Sequence, residues 1–169
     1  MKQLLIVWHS RTGAARQMAE AAARGARSVA TQLDQASDLS VVLRPAAEVQ
    51  AEELLASHGY LFCAPENLAT LSGEMKEFFD RNYYAVLDRI QGLPYACAIS
   101  AGSDGTGAAR QVERICTGWR LRSLAPPLIV NMGAQTAQQI LAPKTVAGAD
   151  RDKCEELGGL LAATLLLGQ

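Results

Sequence analysis

The chain has 169 residues, 49% of them hydrophobic and 20% charged, with a formal net charge of -1. That length suits one domain with a substantial core, and this balance excludes an intrinsically disordered chain. The near-zero net charge removes the electrostatic argument for nucleic acid or an acidic membrane as partner.

Short apolar runs alternate with longer helical patterns. Gln3 to Trp8 reads as a strand, and the Ala-rich stretch from Ala14 to about Val29 as a helix. Leu39 to Arg44 is a second strand closed by Pro45, followed by a short helix over Glu48 to Ala56. Tyr60 to Ala64 is a third strand, which Pro65 is expected to stop. Pro65 to Ser72 shows no helix or strand character and reads as a loop with Ser72 capping the next helix. That helix, Gly73 to Leu87, carries Met75, Phe78, Phe79 and Asn82 at spacings of three and four. Tyr95 to Ser100 is a fourth strand, and Thr106 to Thr117 a helix with Gly118 as its stop. Arg120 to Met132 reads as a fifth strand in two pieces, and Asp150 to Leu167 as the closing helix.

Five strand-helix repeats of these lengths imply a parallel sheet covered on both faces, and the continuous apolar strands agree. No linker or internal repeat divides residues 1–169, so one domain is expected. No secretory signal is recognisable, and the apolar tail LGGLLAATLLLG is short of the roughly 20 residues that span a bilayer. Cys63, Cys97, Cys116 and Cys154 form no C-x-x-C pair and have no histidine at metal-ligand spacing. They read as buried free thiols, without metal, in a cytoplasmic protein. The arginines gather around Arg110 to Arg122 and at Arg24 and Arg27. Solvated helix faces account for them, with a local site for an anionic partner as the alternative.

In open parallel sheets, ligands bind beyond the carboxyl ends of the strands. Three loops there carry suitable chemistry. After the first strand comes HSRTGAAR, where Ser10 and Thr12 offer hydroxyls and Gly13 lets the backbone approach at a helix N-terminus that favours phosphate. The plain alternative is an N-cap by Ser10 or Thr12. The stretch has neither the G-x-x-x-x-G-K-[ST] nor the G-x-G-x-x-G pattern. After the third strand come Glu66 and Asn67, polar residues in a position to bind a ligand, or else to face solvent. After the fourth strand, SAGSDGTG holds Gly102, Gly105 and Gly107. It can aim several N–H groups at one ligand or serve as a flexible connection.

Over its whole length the chain resembles the flavodoxin-like family of FMN-binding proteins, and most closely the NAD(P)H-dependent FMN and quinone reductase branch. The resemblance implies a three-layer α/β sandwich with a five-stranded parallel sheet in the order 2-1-3-4-5. The family's phosphate loop, [ST]-x-T-G-x-[ST], corresponds to Ser10, Arg11, Thr12, Gly13, Ala14 and Ala15, with Ala15 in place of the last hydroxyl. Arg11 or Arg16 is the candidate to compensate. Pro65, Glu66, Asn67 and Leu68 stand where the family faces the flavin ring, and the S-G-x-M-K-x-F-F-D-R that follows is the most specific match. Ser100, Ala101, Gly102, Ser103 and Asp104 match the loop that binds the flavin's pyrimidine edge.

The resemblance implies FMN as cofactor, NAD(P)H as electron donor and a small-molecule acceptor such as a quinone. Leu68 and Ser103 stand where carrier flavodoxins stack aromatics, and the chain lacks their acidic character. Both features favour an oxidoreductase over the alternative, a non-catalytic flavodoxin-type electron carrier. No catalytic acid or base is assigned. Tyr83, Tyr84 and Trp119 either close against the core or line a site between subunits. Self-association is a further expectation, drawn from this aromatic helix and the apolar last helix. A lone His9 is expected to be exposed at its strand end.

Overall fold

The computed structural model describes residues 1–168. The strands are β1 (Lys2–Trp8), β2 (Leu39–Pro45), β3 (Gly59–Asn67), β4 (Thr70–Leu71), β5 (Pro94–Ala101), β6 (Arg122–Ser123) and β7 (Leu128–Asn131). The helices are α1 (Ala14–Gln32), α2 (Ala51–Ala56), α3 (Gly73–Val86), α4 (Thr106–Gly118), α5 (Ala137–Leu141) and α6 (Gly148–Leu167). The parallel sheet runs β2-β1-β3-β5-β6, and β7 also pairs with β5, so β6 and β7 are the two pieces of one edge position. This is the expected order 2-1-3-4-5. It puts the carboxyl ends of β1, β3, β5 and β7 along one edge.

The two faces of the sheet are packed with different chemistry. One face holds Tyr60, Phe62, Phe78, Phe79, Tyr95 and Trp119, with Phe62 and Phe79 centroids 4.9 Å apart and Phe79 and Trp119 5.1 Å apart. Edge-on aromatic pairs at these distances favour the quadrupoles of both rings. The other face takes α1 and α6. There α1 buries Ala14, Ala19, Ala21, Ala22, Ala23, Ala26 and Ala30, and with so little side chain the helices approach very closely. A Cβ on Gly158 would sit 1.9 Å from the Ala22 carbonyl oxygen, and one on Gly25 1.9 Å from that of Glu155.

Several sequence expectations need correction. β3 does not stop at Pro65 but continues to Asn67 and turns back through β4. Pro65 lies beyond Cys63, the last β3 residue opposite Trp8 of β1, so its missing N–H costs no ladder bond to β1. The expected 65–72 loop is therefore a β-hairpin, with Glu66 opposite Leu71 and Asn67 opposite Thr70. Its two tip residues, Leu68 and Ala69, have φ of 49° and 63°. Positive φ at both central residues marks a type I′ turn. α2 starts at Ala51 rather than Glu48, because Gln50 and Glu53 form its capping box. Gly118 does not stop α4. Trp119 caps the helix and Arg120, at φ 57°, takes the left-handed position after it. Tyr83 and Tyr84 do not close against the core: they are 37% and 83% exposed, whereas Trp119 is buried.

Candidate functional site

Four segments meet at the carboxyl edge. The first follows β1. Gly13, at φ 98°, is the N-cap residue of α1, and Ser10 Oγ accepts from its N–H at 3.1 Å. The N-cap is thus the glycine rather than Ser10 or Thr12. Among the described residues, the N–H groups of Ala14, Ala15 and Arg16 have no acceptor. The Thr12 hydroxyl is likewise unbonded, and the Ser10 O–H remains free to donate. Arg16 is engaged elsewhere: it pairs with Glu20 at 2.8 Å and its guanidinium lies 5.5 Å from the Trp8 ring centroid. Arg11 is exposed and makes no ion pair among the described residues. Of the two candidate arginines, only Arg11 is uncommitted.

His9 is not a free exposed side chain. Its Nδ1 lies 2.8 Å from Ser72 Oγ and its Nε2 contacts the Glu74 carboxylate. Ser72 occupies the N-cap position of α3, but its hydroxyl serves His9 and not the helix. His9 thereby fastens the end of β1 to the start of α3. Burial lowers its pKa, partly offset by Glu74 and reinforced by Arg11.

The second segment is the β3–β4 hairpin. Both Glu66 carboxylate oxygens are engaged at the start of α4, with Oε1 accepting from Gly105 N–H at 2.9 Å and Oε2 from Ala108 N–H at 3.1 Å. A carboxylate there favours the positive end of the helix dipole. Gln111 Oε1 accepts from Leu71 N–H at 2.7 Å, and a Cβ on Gly107 would lie 2.0 Å from the Ala69 carbonyl oxygen. The hairpin therefore lies directly on α4. Pro65, Glu66 and Asn67 are half-buried, while the Leu68 tip is 99% exposed.

The third segment follows β5. Ser100 and Ala101 are buried within the strand, and Ser103 and Asp104 are exposed. Asp104 Oδ2 accepts from the Thr106 hydroxyl at 2.7 Å. The N–H groups of Ser103 and Asp104 have no acceptor among the described residues. They are donors held out from a backbone that Glu66 fixes.

The fourth segment, Met132 to Val146, was not anticipated. Lys144 N–H donates to Thr12 O at 2.7 Å. The Gln17 amide donates to the carbonyls of Gly13 and Lys144 and accepts from Val146 N–H. At the other end, Ala134 N–H donates to Gly102 O at 2.9 Å. This segment joins the first loop to the third, as Glu66 joins the third to the second and His9 the second to the first. The four segments form a closed ring of hydrogen bonds. The signal for its helix was available: Thr136 and Gln139 make a capping box around α5.

The donor set fits a phosphate monoester with a polar heterocycle attached. Unpaired amides, two hydroxyls and one uncommitted arginine converge at α1, and further free amides stand on the third loop. Among the described residues no cluster of His, Cys, Asp or Glu is arranged to hold a metal ion, and no helix is long and apolar enough to cross a membrane. All four thiols are free and buried, and burial pushes those of Cys97 and Cys154 up to about 12. They are poor nucleophiles at neutral pH.

The architecture is flavodoxin-like. A solved flavodoxin from the domain Archaea has a TM-score of 0.76 to it, over 97% of this chain and 99% of that one, at 18% identity. Among curated proteins, the chain is 33% identical over 112 residues to a flavodoxin from Aquifex aeolicus, covering 66% of this chain and 56% of that protein. It is 34% identical over 94 residues to an NAD(P)H dehydrogenase (quinone) from Acidithiobacillus ferrooxidans, covering 48% and 47% respectively. The chain thus spans about half the length of the curated relatives it matches. No protein-family model matches it.

Proposed function

We propose that the chain is a single flavodoxin-like domain that binds FMN across this edge and acts as an NAD(P)H-dependent oxidoreductase toward a small-molecule acceptor such as a quinone. The observation that carries the reading is the set of unpaired N–H groups of Ala14, Ala15 and Arg16 beside the Ser10 and Thr12 hydroxyls. When bound, the flavin supplies the redox chemistry, and the protein supplies position and electrostatics. Ser10, Thr12 and the α1 amides hold the phosphate, with Arg11 adding charge where Ala15 gives no hydroxyl. Pro65, Asn67 and Leu68 flank the ring, and the Ser100–Asp104 segment donates amides to its polar edge. Glu66, with both oxygens engaged, positions the hairpin against the third loop.

A second reading, a non-catalytic electron carrier, draws on the likeness to the Aquifex aeolicus flavodoxin. Buried thiols without disulfides support a cytoplasmic setting. The exposed Tyr83 and Tyr84, 5.1 Å apart on α3, support self-association. An FMN titration of the folded protein is the test. Saturable binding, weakened about tenfold by Thr12→Ala through loss of a phosphate hydrogen bond, supports the site. Its absence overturns both flavin readings. FMN-dependent NAD(P)H oxidation with a quinone then separates enzyme from carrier.

A further inference from the structure

The outer face of α4 carries a groove of about 390 Å³ lined by Gly107, Arg110, Gln111, Arg114 and Ile115. Arg110 and Arg114 are exposed, stand one helical turn apart and make no ion pair among the described residues. Five other arginines pair with carboxylates: Arg16 with Glu20, Arg24 with Glu155, Arg44 with Glu53, Arg81 with Glu77 and Arg120 with Asp88. Like charges at this spacing repel, and Glu113, the acidic residue on α4, makes no ion pair with either guanidinium among the described residues. The Gln111 side-chain carbonyl is bound to Leu71 N–H, which turns its amide into a fixed donor beside the two guanidiniums. Ile115 and the arginine stems line the groove, and Gly107 marks its end against the hairpin.

This groove adjoins the candidate site. Its far end, Arg114, lies nine residues beyond Gly105, about 13 Å along the helix from the third loop. A guanidinium fork matches phosphate oxygens in pairs, and its plane stacks on aromatic rings. We propose that Arg110 and Arg114 form the phosphate subsite for the adenosine half of the nucleotide electron donor, and that they select the 2′-phosphorylated form, NADPH. The proposal rests on the oxidoreductase reading for its biological sense, but its binding test does not require the flavin.

The full-length protein is titrated calorimetrically with 2′,5′-ADP, 5′-ADP and inorganic phosphate, as are Arg110→Gln, Arg114→Gln and the double variant. FMN titrations are run on the same samples. The expected result is 2′,5′-ADP binding about tenfold tighter than 5′-ADP, a loss of about tenfold or more in the double variant, and unchanged FMN affinity. Four outcomes overturn the subsite: no binding of 2′,5′-ADP, its unchanged affinity in the double variant, equally effective competition by inorganic phosphate, or a parallel fall in FMN affinity. If 2′,5′-ADP binds as expected and FMN does not, the subsite stands and the oxidoreductase reading fails.

Discussion

Leu68 and Ala69 place Cβ atoms at two positions that a type I′ turn normally gives to Asn and Gly. Each left-handed non-glycine residue costs on the order of 1 kcal/mol. Replacing the pair by Asn-Gly should therefore stabilise the fold by about 1 kcal/mol in urea unfolding while weakening FMN binding, because the exposed Leu68 surface is lost. A neutral or destabilising result would show that the turn is not strained. Gly107 has the opposite sensitivity. Its Cβ would meet the Ala69 carbonyl at 2.0 Å, so Gly107→Ala should cost about 1–3 kcal/mol by lifting the hairpin off α4.

The histidines give the fold a pH dependence. Burial lowers the pKa of both His9 and His58, and at His58 the nearby Lys2 and Met1 amino group add to it. His58 Nδ1 also accepts from Gln3 N–H, which requires that nitrogen to be unprotonated. A lowered folded-state pKa means that the unfolded chain binds protons first. The contribution is present above about pH 6.5 and is lost as pH falls through the lower folded values. Unfolding free energies at pH 7.5 and 5.5 should show this loss. His58→Asn, which keeps an acceptor but cannot titrate, should reduce it.

Among elements, the packing of α1 on α6 tolerates least. Gly158 and Gly25 meet backbone carbonyls that no rotamer change can move, so Gly158→Ala should destabilise by about 3 kcal/mol, measured as a shift in the urea midpoint. The parallel strands were legible in the sequence because each is a continuous apolar run bounded by turn residues. The hairpin was not, because Leu-Ala at its tip carries none of the usual turn chemistry and Pro65 reads as a strand stop. α5 was missed because five residues are too few to show a helical period. Within the site, the hydroxyls and glycine of the first loop could be read from residue type and place. The tasks of His9, Gln17 and Glu66 could not, because their partners lie 63, 129 and 42 residues away in the chain.

At the scale of the molecule, the ring of hydrogen bonds makes the four edge segments one mechanical unit. Hydrogen exchange with and without FMN should show protection arriving in all of them, including residues 132–146, and not in the first loop alone. Protection confined to 10–16 would show that the fourth segment is independent. The same closure bears on how the protein is made. Thr12 and Gln17 leave the ribosome long before their partners Lys144 and Val146. A nascent chain has the first loop's sequence long before it has the loop's geometry. The four-segment edge therefore closes only once residues 144–146 have been made, and a product truncated before them is left without it.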